Sequence, residues 1–145
     1  EQRVPYRRGS LPPPKTDVWT KARSVLTSLS SRRDADPFLL PVDPIADGVP
    51  DYADIVKHPM DLSTVSHNLD NSNFASPHDF AAAVRLVFDN ARLYNPEDNP
   101  VHAMANRMTK AFEDLWGSFE AKLMAQALRK EQRVPYRRGS LPPPK

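Results

Sequence analysis

Residues 76–96 read SPHDFAAAVRLVFDNARLYNP, and the fold is decided there. Ser76 is a good helix cap, Pro77 suits the first helical position, and Asp79 stands where a capping box carries Glu or Gln. Phe80, Ala83, Val84, Val87, Phe88, Ala91 and Tyr94 then keep one apolar stripe for four turns, the spacing of a helix buried on one side. Pro96 and Pro100 close the stretch and leave only a short loop, Asn95–Asn99.

Working outward, the same spacing recurs on both sides. After Pro100 come Val101, Met104, Met108, Phe112, Leu115, Trp116, Phe119 and Leu123, which predict a last helix running to about residue 128. Before Ser76, Asp61 can cap a helix with Leu62, Val65 and Leu69 on one face, stopped by Asp70-Asn71-Ser72-Asn73. Further back, Val18, Trp19, Ala22, Val25, Leu26 and Leu29 predict a first helix over about 16–32, capped by Thr16. No stretch alternates as a strand does. Four amphipathic helices predict an all-α bundle.

The connection between the first two helices is unusual. Residues 36–60 contain Pro37, Pro41, Pro44, Pro50 and Pro59, which forbid a long helix, yet also Phe38, Leu39, Leu40, Val42, Ile45, Val49, Tyr52, Ile55 and Val56. A long apolar loop must bury itself against something, and long loops inside compact domains are usually functional. If it meets the short proline loop at one end of the bundle, the two frame the mouth of a pocket between helices.

Composition narrows the chemistry. The 145 residues suit one domain, 39% are hydrophobic, and no apolar run approaches the roughly 20 residues of a membrane helix. The absence of cysteine excludes disulfides, thiolate metal sites and a thiol nucleophile. Four glycines make a phosphate-cradling loop a poor expectation. His58, His67, His78 and His102 show no metal-binding pair spacing and read as surface or capping residues, and no serine sits in a nucleophile elbow. The chain is therefore not expected to be an enzyme.

Residues 1–15 and 131–145 are the same string, EQRVPYRRGSLPPPK. Repeat folds diverge and stack in tandem, so one copy is expected to be foreign to the domain. Each copy is +3, leaving 12 basic and 16 acidic residues over 16–130, a net of −4. Both copies predict flexible, Pro-rich basic arms able to touch nucleic-acid phosphates weakly. Arg7-Arg8-Gly9-Ser10 and Arg137-Arg138-Gly139-Ser140 have the form of basophilic-kinase sites, a short pattern that chance often produces. The expected organisation is an arm over 1–15, a domain over 16–128, and a basic tail over 129–145.

The spacing places Tyr94 as the last inward residue of its stripe and Asn95 at the helix end. On spacing alone Asn95 reads best as a helix stop in left-handed backbone. A buried Asn offers more, because its amide carries two donors and an acceptor in fixed geometry.

The chain resembles a bromodomain over nearly all of 16–128. The motifs that carry the resemblance are Pro37-Phe38, Pro41-Val42-Asp43, Pro50-Asp51-Tyr52, Pro59-Met60-Asp61-Leu62 and Leu93-Tyr94-Asn95-Pro96, in that order, with loop motifs most like the BET type. The resemblance implies a left-handed four-helix bundle with an acetyl-lysine pocket framed by the first and third loops. It implies that Asn95 donates to the acetyl carbonyl, that Tyr52 reaches it through water, and that Tyr94 forms pocket wall. Pro41, Val42 and Val49 match the apolar wall, Phe38 the floor, and Val101 the gatekeeper. The shelf reads Asp36-Pro37-Phe38 where BET proteins have Trp-Pro-Phe, and Ala53 stands where many relatives have a second Tyr, so the rim is trimmed. Asp43, Asp47, Asp51, Asp54, Glu97 and Asp98 flank the two loops against Lys57, either as ordinary solvated loop residues or as an acidic mouth for basic peptides.

The implied role is a nuclear, chromatin-linked reader of acetylated histone tails or other acetylated proteins, with no cofactor, metal or membrane. Two other readings stay open: a helical interaction scaffold whose pocket has degenerated, and weak nucleic-acid binding through the arms.

Overall fold

The structure, a computed structural model, describes the backbone of residues 13–138 and the side chains of residues 18–129. It contains α1 (Pro13–Ser30), a 3-10 turn (Arg33–Phe38), α2 (Tyr52–Ile55), α3 (Leu62–Asp70), α4 (Pro77–Tyr94) and α5 (Pro100–Arg138). The four long helices pack as the expected all-α bundle, and α4 and α5 form its main interface.

Three boundaries differ from the sequence reading. First, α1 begins at Pro13 rather than at Thr16 and ends at Ser30 rather than at 32. Proline is tolerated in a first helical turn, so Pro13 and Pro14 open the helix and Thr16 lies inside it. Beyond Ser30 the chain tightens: Arg32 N–H donates to Leu29 O and Ala35 N–H to Arg32 O, both at 3.1 Å, and the 3-10 turn delivers Ala35 and Phe38 to the core. Second, the long loop holds a one-turn helix, α2, where no element was expected. Residues 51–58 are the loop's longest run without proline, and Val56 N–H closes the turn onto Tyr52 O at 2.8 Å. Third, α5 continues past 128 to Arg138, into the repeated string. Residues 120–133 are nearly all strong helix formers, which propagate a helix once it is nucleated. Residues 1–12 and the serines of both kinase-type strings lie outside the described residues.

The helix caps follow the sequence signals. Asp61 accepts from Thr64 N–H at 3.0 Å, and Ser76 Oγ accepts from Asp79 N–H at 3.2 Å. The stop after α3 is a Schellman motif: Asn73 N–H donates to Asn68 O at 2.8 Å and Ser72 N–H to Leu69 O at 3.2 Å, with Ser72 in the left-handed region at φ 56°.

The core is aromatic. Phe80, Phe88, Phe112 and Trp116 are essentially fully buried. Phe80 and Trp116 meet at 5.1 Å between ring centroids, and Phe112 stacks on Trp116 at 15°. At the loop end Phe38 meets Phe88 edge-on at 5.3 Å. The seam between α4 and α5 is closed by Arg85, which donates to Glu113 at 2.8 and 3.0 Å and to Glu120 at 2.9 Å. His78 stands 3.4 Å from the other Glu120 oxygen. Arg85, with His78, holds the Glu120 carboxyl below the usual carboxylate range despite the opposing effect of burial.

Candidate functional site

The loop over 39–61 is folded by short-range backbone turns, and side-chain oxygens add to them. Asp43 Oδ1 accepts from Ile45 and Ala46 N–H, both at 3.2 Å, while Asp47 Oδ2 accepts from Asp43 N–H at 2.9 Å. Gly48, at φ 73°, turns the chain in the left-handed region so that Val49 N–H reaches Pro44 O at 2.8 Å. Two clamps tie the loop to α4. Tyr94 Oη donates to Asp51 Oδ1 at 2.6 Å, and buried Asn90 donates from Nδ2 to His58 O at 2.8 Å. The loop start is tied to α3 by Ser63 N–H donating to Leu39 O at 3.1 Å.

Held this way, the loop encloses a cavity of about 60 Å³ against α4 and the start of α5. Its lining comes from Pro37, Phe38, Leu40 and Val42 at the loop start, Tyr52, Met60 and Asp61 further on, Val87, Ala91 and Asn95 along α4, and Val101 from α5. Six of the anticipated positions thus share one cavity: Pro37, Phe38, Val42, Tyr52, Asn95 and Val101. Pro41, Val49, Tyr94 and Asp36 are not among the lining residues. Pro41 and Asp36 are exposed and Val49 is half-buried. Tyr94 lies one layer out, its ring 5.1 Å from Tyr52.

Sequence reasoning missed Leu40, Met60, Asp61, Val87 and Ala91 as lining. Val87 and Ala91 belong to the stripe read as core, and a cavity wall and a core stripe are indistinguishable by spacing. Asp61 lines the cavity without facing it chemically. It is buried, and its oxygens accept from Thr64 N–H, from Thr64 Oγ1 at 2.6 Å and from Ser63 Oγ.

Asn95 is not a left-handed stop. Its backbone is extended, at φ −101° and ψ 124°, because the Pro96 ring forbids helical backbone in the residue before it. Both its backbone N–H and its side-chain Nδ2 donate to Ala91 O at 2.9 Å. One Nδ2 hydrogen and the Oδ1 oxygen are left for the cavity that Asn95 lines. Burial pushes the Tyr52 phenol above its ordinary pKa, and donation to Asp51 pushes Tyr94 up, so both hydroxyls keep their protons at neutral pH. The site is a slot lined mainly by apolar residues, with the Asn95 amide, the Tyr52 phenol and the Asp61 carboxylate as its polar members.

The family model described as Bromodomain matches residues 22–107. The chain belongs to the bromodomain family. Transcription factor GTE10 of Arabidopsis thaliana is 43% identical over 106 residues, covering 73% of this chain and 10% of that protein. Bromodomain-containing factor 2 of Saccharomyces cerevisiae (strain ATCC 204508 / S288c) is 43% identical over 95 residues, covering 63% of this chain and 15% of that protein. Among solved structures, the second bromodomain (BD2) of Candida albicans Bdf1, bound to an imidazopyridine, matches at 37% identity and a TM-score of 0.66, covering 69% of this chain and 97% of that one. The bromodomain thus spans a small part of the curated relatives it matches.

The acidic rim is partly structural. Asp43 and Asp47 hold the loop, and Asp51 accepts from Tyr94. Asp36, Asp54, Glu97 and Asp98 make no ion pair among the described residues, and all four are exposed. Among the described residues, no three His, Cys, Asp or Glu side chains gather as a metal site would need, and no helix is long and apolar enough to cross a membrane.

Proposed function

We propose that this bromodomain recognises N-acetyl-lysine in proteins, acetylated histone tails foremost, as a non-enzymatic reader in nuclear, chromatin-linked transcription. The observation that carries the reading is Asn95 in the wall of an apolar cavity, one amide hydrogen tied to Ala91 O and the other unclaimed. The proposed site comprises Asn95 as donor to the acetyl carbonyl, Tyr52 as a second polar contact, and Phe38, Val42 and Val101 as apolar wall. Pro37 forms the shelf, with Asp36 beside it at the rim. Tyr94 backs Tyr52, its ring 5.1 Å away, and Pro41 and Val49 are assigned to the outer apolar wall, beyond the residues that line the cavity.

The chemistry selects the modified side chain. An unmodified lysine carries a hydrated ammonium, which costs several kcal/mol to bury in such a slot without a paired carboxylate. Asp61, the one buried carboxylate on the lining, is engaged by Ser63 and Thr64. Acetylation removes the charge and leaves a carbonyl that needs a donor. That hydrogen bond contributes only about 1 kcal/mol net. Burial of the lysine stem and methyl adds at most about 4 kcal/mol, at about 0.8 kcal/mol per carbon. The binding is therefore weak to moderate, as suits a reader that must release. Exposed Asp36, Asp54, Glu97 and Asp98 favour basic peptides through encounter rate and orientation.

The test is calorimetric titration with singly and doubly acetylated and unmodified histone-tail peptides. Acetylated peptides are expected to bind and unmodified ones not to. Asn95→Ala and Asn95→Asp should abolish binding while the helical signal and melting temperature stay near the parent. Equal binding of modified and unmodified peptides, or undiminished binding by Asn95→Ala, refutes the reading.

A further inference from the structure

We propose that His102 is a positioning residue for Asn95, fixing the pocket amide from the far side of the short proline loop; the inference rests on the acetyl-lysine reading of the cavity. His102 lies in the first turn of α5, next to Val101, which lines the cavity. Its Nδ1 stands 2.7 Å from Asn95 O. A carbonyl oxygen only accepts, so Nδ1 carries the hydrogen, and the neutral ring is the Nδ1–H tautomer with Nε2 bare.

The contact has a clear physical purpose. The last carbonyls of a helix have no donor within it, and the N–H of Asn99 goes to Pro96 O at 2.9 Å. Among the described residues, His102 is the donor that reaches Asn95 O. Asn95 is then held at three atoms. Its N–H and Nδ2 are fixed to Ala91 O, and its carbonyl is fixed to α5. Without His102 the Asn95–Pro96 peptide loses its tie to α5, and the α4 end that carries the Asn95 amide is held by Ala91 O alone. The cavity presents its donor in line for a smaller fraction of the time, and apparent affinity falls by that fraction.

Three substitutions separate donation from bulk. In His102→Asn the side-chain Nδ2 occupies the place of Nδ1. In His102→Gln the amide lies one carbon further out. In His102→Phe the ring stays and the donor goes. Calorimetry with an acetylated histone-tail peptide should show His102→Phe and His102→Gln weakened on the order of fivefold, the factor one net hydrogen bond represents. His102→Asn should recover most of that loss. Thermal unfolding of each variant identifies any that fails to fold, and nitrogen-15 spectra of the parent should show a protonated Nδ1. Parent-like binding by His102→Phe, equal weakening by the Asn and Gln variants, or a bare Nδ1 overturns the assignment. Asn95→Ala, run alongside, reports separately on the acetyl-lysine reading: if it still binds peptide, that reading fails whatever His102 does.

Discussion

Asn90→Ala is expected to destabilise the protein by about 1–3 kcal/mol, although Asn90 lies outside the aromatic core and outside the cavity lining. The side chain is 6% exposed, and its Nδ2 donates to His58 O at 2.8 Å across 32 residues of sequence. One neutral hydrogen bond contributes about 1 kcal/mol net, and a carbonyl left without its donor adds a desolvation penalty on the order of 1–2 kcal/mol if water does not reach it. The assay is urea unfolding followed by fluorescence of the buried Trp116, with an unchanged slope required so that the midpoint shift reads stability alone. Asn90→Asp sharpens the test. Its ionised carboxylate cannot donate to the His58 carbonyl, whereas the protonated acid can. Burial and the facing oxygen would raise its folded-state pKa above the unfolded value of about 3.9. Its deficit against the parent should vanish below that unfolded value and grow as pH rises toward the folded one. A loss under about 0.5 kcal/mol in Asn90→Ala, or a pH-independent deficit in Asn90→Asp, refutes the idea that this bond is one of the clamps that hold the loop.

Two further outcomes follow from the bundle. The Glu120 carboxyl is held below its ordinary range by Arg85, so its contribution is present above the unfolded value near 4.5 and is lost as pH falls through the folded value. Glu120→Gln should flatten that part of the acid limb in pH-dependent unfolding curves; an unchanged limb sinks the assignment. Phe112→Ala should cost about 3–5 kcal/mol in chemical denaturation, since Phe112 is fully buried between Phe80 and Trp116. Leu115→Ala should cost clearly less, because Leu115 is only half-buried beside the groove between α1 and α5, and equal costs would show that burial is not the deciding quantity.

The bundle was legible because its helices carry period and caps together. Ser76-Pro77 and Asp61 announced the helix starts, and the stripes of α1, α3, α4 and α5 announced the buried faces. Boundaries were legible only where a breaker stood. Nothing in the sequence marked Pro13 as a start, and residues 120–133 lack any stop, so both ends were misjudged. The cavity was half legible. Phe38, Val42, Tyr52, Asn95 and Val101 came through the resemblance and share the lining. Met60, Val87 and Ala91 did not, because a residue facing a cavity and one facing a packed core have the same spacing. The bonds of Asn90 and His102 to backbone carbonyls were invisible in principle: a carbonyl acceptor leaves no trace in residue identity.

The oxygen of Ala91 separates two tasks at one position. Its main chain anchors the Asn95 amide, while its side chain forms part of the cavity wall. Exchanging that methyl for another side chain reshapes the slot but leaves the tether in place, since every amino acid supplies the same carbonyl. On the acetyl-lysine reading proposed above, selectivity for differently shaped acyl groups would drift, or be engineered, at position 91 without loosening the contact that orients the Asn95 amide.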